Sequence, residues 1–66
     1  MYFIKESAAI TISPYSGIYC EETGIEKEKY YRLINDAIKD AELLADISRI
    51  SFDIVEIIYE TVLTIL

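Results

Sequence analysis

The run from Ile25 to Leu66, IEKEKYYRLINDAIKDAELLADISRISFDIVEIIYETVLTIL, has neither glycine nor proline and makes up nearly two thirds of the chain. Tyr30, Ile34, Ala37, Ala41 and Leu44 recur at alternating spacings of four and three. The same rhythm carried forward meets Ser48, Ser51, Val55, Ile58, Val62 and Ile65. On the opposite face Glu28, Arg32, Asn35, Lys39, Glu42, Asp46, Arg49, Asp53, Glu56 and Glu60 keep the same phase. Two stripes in one heptad register predict a single helical phase, a rod of about 40 residues and about 60 Å. Asp46, Ser48 and Ser51 mark its weak point, because serine competes for backbone hydrogen bonds and often caps a new helix. The expected helix is therefore continuous, or bent or broken near residues 46–51.

Working back from that run, Thr23-Gly24-Ile25-Glu26 has the form of a capping box, with Thr23 as N-cap, Glu26 three residues on and Glu28 adding favourable charge. Upstream, residues 2–13 alternate with period two. Tyr2, Ile4, Ala8, Ile10 and Ile12 share one face with Glu6 as the intruder, which predicts a half-buried strand with a bulge or short break at Glu6-Ser7. Ser13-Pro14-Tyr15-Ser16-Gly17 supplies turn chemistry, and Ile18-Tyr19-Cys20-Glu21-Glu22 reads as the returning strand. The expected fold class is α+β in a single small domain: an N-terminal β-hairpin (1–23, paired over about 8–22) followed by a long C-terminal helix (24–66), assembled as a homo-oligomer.

Oligomerisation is expected from size. A 66-residue chain buries only roughly 60% of its unfolded surface, yet 53% of its residues are apolar. Cys20 is alone, so no internal disulfide forms, and with no histidine and one thiol no metal site or other cofactor is expected. The helix from Phe52 onward is apolar on several sides. An antiparallel dimer, each hairpin covering the other copy's C-terminal helix, would use Tyr30, Ile34, Ala37, Ala41, Leu44, Val55, Ile58, Val62 and Ile65 as its interface.

The formal charge is −6, which speaks against tracking nucleic-acid phosphates. Asp40, Glu42, Asp46, Asp53, Glu56 and Glu60 stand against Arg49 alone, six acids less one base, so the second half carries −5. Lys5 and Glu6 interrupt the opening apolar run, so no signal peptide is expected. Asp53, Glu56 and Glu60 exclude a membrane span over 50–66. With an unpaired thiol the expected compartment is the cytoplasm.

Residues 41–58, AELLADISRISFDIVEII, are similar to the helix-turn-helix of DNA-binding repressors, with Ala45 as the small residue, Ile50-Ser51 opening the second helix, and Val55 and Ile58 as core contacts. The resemblance implies a DNA-binding regulator. Arg49 stands where that family places glycine and Ser48 where it places an apolar residue. Its recognition helix would offer Asp53, Glu56 and Glu60 to a groove that calls for Arg, Lys, Asn or Gln.

No histidine accompanies Cys20 as a base, Glu21 and Glu22 would point to opposite faces of a strand, and there is no phosphate loop, so no enzyme is expected. The expected function is protein–protein interaction. The chain would be a small acidic inhibitor or regulator of a larger, nucleic-acid-binding or defence protein, resembling in size and charge the compact acidic proteins by which mobile elements block host nucleases. Its partner-binding residues would be Tyr15, at the turn tip with no core to enter, and the acids Asp46, Asp53, Glu56 and Glu60. A structural oligomerisation module and a degenerate helix-turn-helix regulator are the alternatives.

Overall fold

A computed structural model describes residues 1–17, 19–58 and 60–66, with Tyr19 and Cys20 described in backbone only. Five elements follow one another: β1 (Tyr2–Glu6), α1 (Tyr19–Thr23), α2 (Ile34–Ser48), β2 (Phe52–Glu56) and β3 (Glu60–Ile65). The strands form one antiparallel sheet in the order β1-β2-β3. The fold is a small α+β arrangement in strand–helix–strands order, and the expected hairpin followed by a long C-terminal helix is not what the chain adopts. The longest dimension is 28 Å, less than half the length of the expected rod.

The helix is right where its stripe is right. Ala37 and Ala41 are fully buried, Leu44 and Ala45 nearly so, while Asn35, Asp36, Lys39, Glu42 and Asp46 face outward. Small residues at 37 and 41 let α2 lie close against the sheet. The helix then stops. Ser48 Oγ donates to the Leu44 carbonyl at 2.6 Å, competing for a helix acceptor. Arg49 takes a left-handed conformation (φ 61, ψ 30) and donates its N–H to the Ala45 carbonyl at 2.8 Å. Beyond it the β-branched residues win: Ile54, Val55, Ile57, Ile58, Thr61, Val62, Thr64 and Ile65 lose less side-chain freedom in a sheet than in a helix. Val55, Ile58, Val62 and Ile65 therefore form no helical seam. The second helix that a helix-turn-helix requires is strand β2.

Among the described residues the N-terminal hairpin is also absent. β1 ends at Glu6, where Ala9 N–H closes a turn onto the Glu6 carbonyl at 3.0 Å. Its partner is β2, with Tyr2 opposite Glu56, Ile4 opposite Ile54 and Glu6 opposite Phe52. Ile10 is 98% exposed, so the period-two pattern beyond Glu6 buries nothing. Glu21 and Glu22 lie in α1 rather than a returning strand. Ile18 lies outside the described residues. Thr23-Gly24 ends that helix instead of starting one. Gly24 holds φ 75, the left-handed turn-off that glycine adopts freely, and Thr23 Oγ1 accepts from the Ile25 N–H at 3.3 Å.

The core lies between α2 and one face of the sheet. Ile4, Phe52 and Ile54 meet Ala37, Ala41, Leu44 and Ala45, with Tyr31 at the side. Each large buried side chain contributes about 1.5–3 kcal/mol. Tyr15 enters this core, its ring edge-on to Phe52 at 5.1 Å. A Cβ on Gly17 would overlap the Tyr15 hydroxyl and ring, so the turn needs glycine here for space.

Candidate protein-interaction site

The sheet's two edges differ. Beside β1, Tyr2 and Tyr31 exchange two backbone hydrogen bonds of 2.7 Å, and Tyr15 N–H donates to the Ile4 carbonyl at 2.6 Å. That edge is covered. Among the described residues nothing bonds the outer edge of β3, whose Glu60, Thr61, Val62, Leu63 and Thr64 are all exposed. A free edge of this kind is a template for another strand, and proteins usually blunt it with lysine or proline. Glu60 is the only charge on β3 and there is no proline. A bulge interrupts the ladder: Ile54 faces Leu63 and Val55 faces Thr61, leaving Val62 as the extra residue.

Next to this edge an open groove of ≈ 670 Å³ runs between the C-terminal end of α2 and the end of β3. Ala45, Ile50, Ile65 and Leu66 give it apolar walls, and Glu42, Asp46 and Arg49 its charged rim. At the opposite end of β3 the β2–β3 turn exposes Ile57 (47%) and Ile58 (63%), where turn chemistry ordinarily favours Gly, Asn or Asp.

On the sheet face turned away from α2, Asp53 gathers donors. Ser7 Oγ donates to its Oδ1 at 2.7 Å, Thr64 Oγ1 at 2.8 Å, and Lys5 Nζ stands 3.8 Å from Oδ2 while donating to the Ser7 carbonyl at 3.3 Å. Lys5 is only 7% exposed. Burial raises the Asp53 pKa, but the hydrogen bonds from Ser7 and Thr64, the Lys5 ammonium and a hydrogen bond from Thr61 outweigh it and hold the carboxyl below its ordinary value. The two hydroxyls and the ammonium converge on one carboxylate. The cluster ties the three strands and the Ser7 turn together.

The four acids expected to act as one surface are thus dispersed. Asp46 is exposed on α2, Asp53 is engaged on the far face of the sheet, and Glu56 and Glu60 are cross-strand partners beside the β2–β3 turn. Tyr15 is half-buried against Phe52 instead of standing at a turn tip. Of the nine expected interface residues, Ala37, Ala41, Leu44 and Val55 are buried within the single chain, and Ile34 and Ile65 pack against its core. Tyr30 (49%) lies edge-on to Phe3, while Ile58 (63%) and Val62 (42%) remain exposed beside or on the free edge.

An acidic helical layer emerges that residue spacing alone does not reveal. α1 packs on α2, and the two helices expose Glu21, Glu22, Asp36, Glu42 and Asp46 against Lys39 as their one exposed base. No group of His, Cys, Asp or Glu among the described residues is placed to hold a metal ion, and none of their helices is long and apolar enough to cross a membrane. Compared with protein-family models, with curated proteins and with solved structures, the chain matches none.

Proposed function

We propose that this protein acts without catalysis, as a small acidic regulator that occupies a larger, basic partner protein through its helical layer. The carrying observation is the sorting of charge by layer. Five exposed acids and one exposed base lie on α1 and α2, while on the reverse face Lys5 and Asp53 neutralise each other. Such a one-sided potential steers encounter with a positively charged surface and rejects acidic competitors. A nucleic-acid-binding or defence protein offers the matching surface.

The test is capture from source cells with wild type and with a variant carrying Glu21, Glu22, Glu42 and Asp46 as lysines, followed by rebinding of the purified partner across a salt series. Binding should weaken with salt and be lost in the reversed variant. Equal capture by both proteins would remove the reading.

A further inference from the structure

We infer that the free edge of β3 pairs with β3 of a second copy, antiparallel, to give a continuous six-stranded sheet with both α2 helices on one side. This goes beyond the acidic-partner reading and does not depend on it. Antiparallel self-pairing about a two-fold axis normal to the sheet keeps each residue on its own face, so residues opposite one another must share a face. On β3, Thr61 and Thr64 both lie on the reverse face, opposite Val55 and Asp53, while Glu60 and Ile65 lie on the helix side, opposite Glu56 and Phe52. In a regular strand residues three or five apart do not match in this way. The extra residue at Val62 makes them match. The bulge therefore permits the register in which Glu60 meets Ile65, Thr61 meets Thr64, and Val62 and Leu63 flank the axis.

That register is self-complementary beyond its ladder. The two Glu60 side chains go to opposite ends of the paired strands, so the only charges on the edge avoid each other. Each arrives beside Ile65 of the other copy, at the groove that Arg49 rims. Arg49 has no ion-pair partner within 4 Å among the described residues, and it occupies a left-handed backbone conformation (φ 61) that glycine would adopt without strain. Glu42 and Asp46 share the rim and offset part of the Arg49 attraction, so the ladder and the apolar contacts supply the affinity. Past Glu60, the exposed Ile58 of the second copy comes alongside Leu66 and Ile50, one end of each β3 supplying the anchor and the other end the groove, as an isologous interface requires.

The experiment is sedimentation equilibrium of the full chain over a concentration series, with thermal unfolding on the same samples. Wild type should dimerise at micromolar concentration, its midpoint rising with protein concentration, and dimerisation should tighten with salt as repulsion between two chains of −6 is screened. Val62→Lys should weaken the dimer at least about ten-fold through charge on the edge while the chain stays folded. Arg49→Glu should weaken it about three-fold, and Arg49→Glu combined with Glu60→Arg should restore most of that loss. A wild type that remains monomeric, a Val62→Lys protein that dimerises as wild type does, or a charge swap without rescue would each overturn the inference. If Val62→Lys fails to fold, the swap alone decides.

Discussion

Lys5 and Asp53 stand opposite one another on β1 and β2, Nζ 3.8 Å from Oδ2, on the sheet face that α2 leaves uncovered. Because the folded Asp53 carboxyl titrates below its ordinary 3.8, its ionisation stabilises the fold above that pH, and the contribution is lost as pH falls through the folded value. Asp53→Asn leaves the nearly buried Lys5 without a counter-charge and should cost on the order of 2 kcal/mol at neutral pH. Urea unfolding of both proteins from neutral pH downward should show the gap closing below about pH 4. A gap that stays constant to the acid limit would count against this account.

Gly17 is tied to Tyr15. Gly17→Ala places a methyl where the Tyr15 ring lies, and should destabilise by about 1–2 kcal/mol, as overpacking does. In a Tyr15→Leu background the same substitution should cost far less, because the atoms it strikes are gone. Additive losses in chemical denaturation would show that the two positions are not coupled.

The seat of α2 on the sheet depends on small residues. Ala41→Leu should cost about 1–3 kcal/mol, and Leu44→Ala about 2–5 kcal/mol through the cavity it leaves. Leu43→Ala, one position along but 41% exposed, should stay within about 0.5 kcal/mol. Melting curves of the three variants check the ordering.

A fourth test separates the structure from the strand expected over residues 2–13. Ile10→Ser should leave stability within about 0.5 kcal/mol, since Ile10 is almost wholly exposed. Ile4→Ser should be severe, because it places a hydroxyl among Tyr31, Leu44 and Ile54. Equal losses at both positions would favour the longer strand.

Part of this was readable from residues alone. The stripe Ile34, Ala37, Ala41 and Leu44 does mark a helix, and Tyr2, Ile4 and Glu6 do alternate on a strand. The error came from carrying a phase through Arg49. Asp53, Glu56 and Glu60 fit the polar heptad face, yet the same spacing occurs in two short strands joined by a turn. Eight β-branched residues among the fourteen from Phe52 to Ile65 were the available contrary signal. Missing glycine and proline carried less information, because Arg49 makes the left-handed turn itself and Ile57-Ile58 form a turn of apolar residues. The acidic layer was invisible for another reason: Glu21 and Glu22 join Glu42 and Asp46 only once α1 packs on α2.

The pairing of β1 with β2 also bears on how the chain is made. Each rung between them joins residues from 46 (Glu6 to Phe52) to 54 (Tyr2 to Glu56) positions apart. Contacts of such separation form slowly, since loop closure precedes any gain from the ladder. During synthesis Phe3, Ile4 and Lys5 leave the ribosome well before their β2 partners, which follow only after α2 has been completed. Until then the inner edge of β1 has no partner strand and its apolar side chains lack their β2 neighbours, the kind of species that chaperones shield. β1 gains its ladder only once β2 has been made.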